Sequence, residues 1–266
     1  MEGVAGVARD DQTDPGSPFH SESRHLLTQE VNAAVLGALD AGVREVVVSD
    51  GHWNCTNLLP EELHSRAELV SGYPRRLYMS HGMGPGFDAA FLVGYHASAG
   101  TPDAVLDHTY ADPNLVMAVR LNGTAQSEGS LNGYFCGAYD CPVALVTGDA
   151  AAVSEMHRFV GELEGVVVKD GLGRQAARSL HPEVARARIR TGARRAIERL
   201  VGIPVMRFDG RIELEVDFVS TAMADSCERV PCVRRLAGRT VGYASDDYVE
   251  VYLLFLALVD LARIAA

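Results

Sequence analysis

The sequence predicts an α/β protein: a largely parallel central sheet flanked by helices, followed by a smaller C-terminal α+β subdomain. Three observations carry this. Short apolar or β-branched runs alternate with amphipathic helical patterns over the first two hundred residues, as βαβ units require. After Pro204 the pattern changes to an alternating strand, a short helix, another strand and a long apolar helix. The chain has 266 residues, 47% hydrophobic and 22% charged, enough apolar surface to bury a sizeable core. The expected division is therefore 1–203 and 204–266.

The elements follow in order. Residues 1–20 are rich in Asp, Gly and Pro and are expected to form an irregular loop. Ser21 or Ser23 is the expected cap of a helix whose Leu27, Val31, Ala34, Val35 and Ala38 form one apolar stripe, stopped by Gly42. Glu45-Val-Val-Val-Ser-Asp50 is β-branched and predicts a buried strand. Ala89 to Gly94 predicts another. Leu115 to Leu121 leads into Asn122-Gly123, the strongest hairpin signal in the chain. Pro142 to Thr147 and Val166 to Lys169 predict two further strands, with a helix from Ala150 between them. Ile189, Ala193, Ala196, Ile197 and Leu200 mark a second amphipathic helix. Its arginines (Arg186, Arg188, Arg190, Arg194, Arg195 and Arg199) lie mostly off the stripe and predict a solvated face. Beyond Pro204, strands are expected at Arg211–Phe218 and Thr240–Ala244, and Val249 to Ala262 predicts a core-facing terminal helix.

Charge and cysteine content exclude several function classes. Twenty-four Lys and Arg against 35 Asp and Glu give a net charge of −11. That field repels phosphate backbones and anionic lipid, so neither nucleic acid nor membrane is an expected partner. Five cysteines do not suggest a secreted disulfide framework. The Cys136/Cys141 and Cys227/Cys232 spacings are wider than the CxxC pairs of a four-thiolate zinc site, so free thiols are expected. Met1-Glu2-Gly3 lacks a basic, then apolar, leader, and Val249–Ala262 is interrupted by Glu250 and Asp260 and falls short of the ~20 residues of a span. A cytoplasmic location is the expectation.

The chemistry is expected where strands end. Val46-Val-Val-Ser-Asp-Gly-His52 and Phe91-Leu-Val-Gly-Tyr-His96 each run from a strand straight into a histidine. In an open parallel sheet the C-terminal strand ends converge on one crevice, so the two imidazoles are expected side by side. Imidazole suits zinc, and carboxylates complete hydrolytic zinc sites; Glu2, Asp50 and Glu128 are the candidates. His108 follows His96 by twelve residues and is expected to line the same cleft as acid, base or nucleophile. No GxSxG elbow, HExxH or Walker A loop is present. His81-Gly-Met-Gly-Pro-Gly86 is taken as a glycine-rich turn, and His20-Ser-Glu-Ser-Arg-His25 as capping and solvent-facing. Trp53, beside His52, is not assigned to the site.

An ordered set of short strings adds a resemblance. Met1-Glu-Gly-Val-Ala-Gly6, Ser49-Asp-Gly-His52 with Asn57-Leu58, Gly94-Tyr-His-Ala97 with Gly100-Thr-Pro102, and Glu128 with Leu131-Asn132 resemble the zinc-dependent D-aminopeptidase family, the M55 peptidases of the dipeptide-operon type. The Val143–Asp149 and Val166–Lys169 strands match in order too, so the likeness covers most of the first 200 residues. The resemblance implies a two-zinc site and release of N-terminal, typically D-configured, residues from short peptides. It implies Glu2, His52, His96 and Glu128 as metal ligands, His108 as the catalytic residue, and a homo-oligomer, a decameric ring. The family motif is a strand ending in Asp-x-Glu-Gly; this sequence starts at the x position, so the aspartate is not among its residues, and a start chosen downstream of the true one is the expectation. Two other readings keep the fold: a related metallo-amidohydrolase acting on a peptide-like metabolite, and a metal-poor binding or scaffold relative.

Overall fold

The computed structural model describes residues 1–266. The short helix α1 (Asp10–Thr13) and the long α2 (His20–Asp40) precede β1 (Val46–Ser49) and β2 (Ala67–Val70). Next come β3 (Ala90–Tyr95), the hairpin of β4 (Val116–Leu121) and β5 (Thr124–Gln126), α3 (Glu128–Gly137), β6 (Val143–Asp149) and α4 (Ala150–Val160). Then follow β7 (Glu164–Gly173), β8 (Ala176–Ser179), α5 (Pro182–Glu198), β9 (Ile212–Phe218), α6 (Thr221–Cys227), β10 (Arg234–Arg235), β11 (Thr240–Ser245) and α7 (Tyr248–Ile264).

The parallel layer has the order β3-β6-β7-β8, with only β8 antiparallel, and beside it stands a separate parallel pair, β1-β2. Its centre is β6, in which all seven residues are buried. Of the stripe expected on α5, Ile189, Ala193 and Ala196 are fully buried against this layer together with Ala185, while Ile197 is half-buried and Leu200 falls just past the helix. Helix α5 also packs on α2 so tightly that a Cβ on Gly37 would sit 2.2 Å from the Arg190 carbonyl oxygen, so only glycine fits there. The arginine face is solvated as expected, with Arg190 paired to Asp40, Arg194 to Glu198 and Arg195 to Glu164.

The second layer is an antiparallel sheet of order β10-β11-β9-β4-β5. It takes β4 and β5 from before Pro204 and β9 to β11 from after it, joined by the β4–β9 ladder. The Asn122-Gly123 hairpin is where the sequence put it, with Leu121 opposite Thr124. Helix α7 closes this layer, burying Tyr252, Phe255 and Leu258 with Phe135 of α3 and Phe218 of β9 in the largest apolar cluster. No helix is long and apolar enough to cross a membrane. All five cysteines are free thiols, four of them buried.

Two local expectations need correction. Helix α2 begins at His20, so Ser21 and Ser23 lie inside it; its N-cap, Phe19, provides no side-chain cap. Strand β1 is not buried: all four of its residues are only partly covered. Val-Val-Val composition predicts burial where both edges are paired, and β1 has a partner on one edge alone.

Candidate metal centre

Each expected residue reaches the site by a different local device. Glu2 lies in a turn held from beneath by Lys169 of β7, whose buried ammonium donates to the carbonyls of Glu2, Val4 and Val7, the Val4 bond being 3.0 Å. The same turn is pinned by Glu30 of α2, which accepts from the Ala5 N–H at 2.9 Å. His52 follows β1 and His96 follows β3, at the same end of the parallel layer. Glu128 opens α3 rather than sitting in a loop. There the positive end of the helix favours its charge, and Ser127 caps the helix by accepting from the Ser130 N–H.

The side chains meet as two pairs. Glu2 Oε1 lies 3.0 Å from His52 Nδ1, and Glu128 Oε1 lies 3.6 Å from His96 Nε2. His108 stacks on His96 with ring centroids 3.7 Å apart. The donor atoms of His96, His108 and Glu128 all fall within 4.8 Å of one another. Both carboxylates feel His108, and Glu128 feels Glu2, so the pairs are electrostatic neighbours. All five side chains are buried or nearly so and line one end of a cavity of about 1040 Å³.

The donor set fits a metal. Each imidazole has one ring nitrogen on a backbone carbonyl: His52 Nε2 on Thr13 at 2.9 Å, His96 Nδ1 on Ala97 at 3.1 Å, and His108 Nδ1 on Leu106 at 2.9 Å. That arrangement fixes the tautomer and leaves the other nitrogen as a lone-pair donor, the usual support for a metal-bound histidine. Two donors on one tetrahedral zinc, each about 2.0–2.1 Å away, lie roughly 3.3 Å apart. The two observed pair distances fall on either side of that value.

Electrostatics hold the two carboxylates in the anionic form that a cation requires, and set the two stacked imidazoles apart. Burial opposes charge on Glu2 and Glu128, yet His52 and the Met1 ammonium hold Glu2 well below the usual carboxylate range, and His96 lowers Glu128. Burial also works against a charged His96, but the Glu128 carboxylate outweighs it and raises the imidazole to about 9. His108 goes the other way: burial and the neighbouring His96 lower it to about 4, so it is neutral at physiological pH.

Asp50, the third candidate carboxylate, is not free to join them. It accepts from the backbone N–H groups of His52, Asn57 and Leu58 and from Asn57 Nδ2, and so shapes the turn that carries His52. His20 is not solvent-facing: it is buried, with Nε2 3.1 Å from Asn57 Oδ1. Trp53 is 56% exposed at the cavity wall, in a left-handed turn with φ of 50°.

With this geometry in view, comparison with known proteins is decisive. Residues 1–257 match the Peptidase M55 family, described as D-aminopeptidase. The chain belongs to this D-aminopeptidase family. The D-aminopeptidase of Bacillus subtilis (strain 168) is 30% identical over 266 residues, covering 98% of this chain and 95% of that protein. The solved structure of the Zn-dependent D-aminopeptidase DppA from Bacillus subtilis, described as a self-compartmentalizing protease, superposes with a TM-score of 0.95 at 28% identity, covering 99% of this chain and 95% of that one.

Other residues around this cluster had no assigned role in the sequence, because they act through partners far away in the chain. Asn132, one turn after Glu128 on α3, accepts from Tyr252 of α7 at 2.8 Å and from Ser80 at 3.1 Å, and donates to Tyr95 at 3.0 Å. The antiparallel layer thereby fixes the helix that presents Glu128. A lysine at the end of an apolar run, Val166-Val-Val-Lys169, was the one visible signal for the cation beneath Glu2.

Proposed function

We propose that this chain is a zinc-dependent aminopeptidase releasing N-terminal, D-configured residues from short peptides. In this reading Glu2, His52, His96 and Glu128 hold two zinc ions and His108 is the catalytic residue. The observation that carries it is the meeting of three tautomer-fixed imidazoles and two carboxylates at one cavity end, in a chain of the D-aminopeptidase family. Zinc bound at such donors supplies a Lewis acid for the scissile carbonyl and lowers the pKa of a coordinated water toward ~7.

The chain's own residues supply the rest. The His108 Nδ1–H is committed to Leu106, which leaves Nε2 to take a proton from the attacking water and return it to the leaving amine. Its low pKa keeps that nitrogen unprotonated at neutral pH. Burial of both carboxylates among imidazoles strengthens their hold on a cation, because little solvent competes. Support for a homo-oligomer, which we take to be a decameric ring that encloses the sites, comes from the self-compartmentalizing description of the Bacillus subtilis relative.

The test is release of D-alanine from D-Ala-D-Ala, with L-Ala-L-Ala in parallel, by protein stripped with chelator and then reloaded with zinc. Zinc-restored release favouring the D-peptide is expected; full zinc occupancy without release rejects the substrate. The tight grouping of His108 with His96 and Glu128 favours a second reading of that one residue, as a further nitrogen donor to a cation. His108→Ala separates the two. A catalytic role lowers kcat and leaves zinc content unchanged, whereas a ligand role lowers zinc content.

A further inference from the structure

The hairpin of β7 and β8 supports two separate segments of the site through its tip. Its strands join at the two-residue turn Arg174-Gln175, with Gly173 opposite Ala176. One side of the tip grips α1. Arg174 Nη1 donates to both carboxylate oxygens of Asp10, at 3.1 and 3.2 Å, and Gln175 Nε2 donates to Asp10 Oδ2 at 2.7 Å. Helix α1 has only four residues, too few to persist alone. It ends at Thr13, whose carbonyl accepts from His52 Nε2 and so sets the tautomer of that ring.

The other side grips the loop that carries His108. Arg174 Nε lies 3.3 Å from Asp107 Oδ1, and the Asp107 side chain is only 15% exposed. The Arg174 carbonyl accepts from the Leu106 N–H at 2.8 Å, and the Leu106 carbonyl accepts from His108 Nδ1. The loop is pressed close to the hairpin as well: a Cβ on Gly171 would lie 2.0 Å from the Asp103 carbonyl oxygen. A guanidinium suits such a junction, being planar, always charged and able to serve two carboxylates from different edges at once. Half-exposed ion pairs of this kind add little to stability. What they fix is geometry, and a small misplacement of a reacting group costs rate steeply.

We propose that Arg174 is a positioning residue for the reaction, clasping the supports of His52 and His108 in one fixed relation. It acts through these neighbours, since it does not itself line the cavity. The inference rests on the reading of His52 as a ligand and His108 as the catalytic residue.

The experiment compares Arg174→Met and Arg174→Lys with Arg178→Met, all as full-length, zinc-loaded protein. Arg178→Met removes the same charge from the same hairpin but breaks only a pair with Asp170, 2.8 Å away. Release of D-alanine from D-Ala-D-Ala, the melting temperature and hydrogen–deuterium exchange at 10–13 and 105–108 are read for each. Arg174→Met is expected to lower kcat by about 10- to 100-fold, the range for residues that orient a ligand, with KM within about twofold of the parent. Exchange at both segments is expected to quicken by about tenfold, while the melting temperature stays within about 4 °C of that of Arg178→Met. Arg174→Lys keeps the charge but holds one carboxylate at a time, and is expected to recover part of kcat. Equal exchange at the two segments in Arg174→Met and Arg178→Met overturns the proposal. So does a kcat loss that comes with a larger fall in melting temperature, or one that Arg174→Lys leaves wholly unrepaired. A parent that releases no D-alanine removes the proposed activity instead, and exchange at the two segments still decides whether Arg174 clasps them.

Discussion

Strands β1 and β6 are built from nearly the same residues, Val-Val-Val-Ser and Val-Ala-Leu-Val-Thr-Gly-Asp, yet β6 is wholly buried and β1 only partly. The difference lies in their neighbours. β6 has a paired strand on each edge and the helices α4 and α5 against its faces; β1 has one edge partner and lines the cavity. The same contrast runs through the candidate metal centre. His96, His108 and Glu128 rest on β3, α3 and the layers behind them, whereas Glu2 and His52 depend on a turn and a lone parallel pair. Composition sets what a strand is able to bury, and topology sets what it does bury.

The comparison can be broken most forcefully at the site. Glu128→Ala is expected to lower kcat/KM by more than about 100-fold, the upper end for residues that merely orient a ligand, and to reduce zinc content measured by elemental analysis. Unchanged zinc content in that variant would remove Glu128 from the ligand set. On the less supported side, Lys169→Met removes the cation beneath the Glu2 turn and leaves three buried carbonyls without it. Zinc affinity, followed by titration against a chromophoric chelator, is expected to weaken by about 10- to 100-fold.

Stability sharpens the contrast between the strands. Val146→Ala in β6 empties a fully buried site and is expected to cost about 2 kcal/mol in urea unfolding, while Val47→Ala in β1 costs less than about 1 kcal/mol. Equal costs would mean that β1 is as enclosed as β6. An effect that appears only as pH rises concerns Glu30, whose Oε2 has no partner and whose carboxyl burial raises to about 7. A carboxyl with a folded pKa above its unfolded value binds its proton more tightly when folded. Its contribution is therefore complete below about pH 4.5 and is lost as pH rises through 7. Glu30→Gln keeps the acceptor for Ala5 and carries no charge. It should match the parent near pH 4.5 and become the more stable of the two as pH rises through 7, read by urea unfolding at pH 4.5 and pH 8.

Much of this was legible in the sequence. The stripe on α5, the hairpin at Asn122-Gly123 and the strands leading to His52 and His96 depend on periodicity and local turn chemistry, which a single chain displays. Strand ends in a parallel layer converge, and this put His52 and His96 on the same cavity, although the ring stacked on His96 is His108. The pairing of β4 with β9 was not legible, because two strands some ninety residues apart reveal themselves as partners only in three dimensions. The same is true of Tyr252 on Asn132 and of Lys169 beneath Glu2: each is an ordinary residue until its partner is known. His20 was misjudged because its position before a helical pattern suggested solvent, whereas helix α2 starts at that residue and turns it toward Asn57.

The most direct test of the central claim is anomalous diffraction at the zinc absorption edge from crystals soaked with zinc. The account predicts two peaks, one shared by Glu2 and His52 and one by His96 and Glu128. Peaks elsewhere on the molecule, or none at these four side chains, would contradict it.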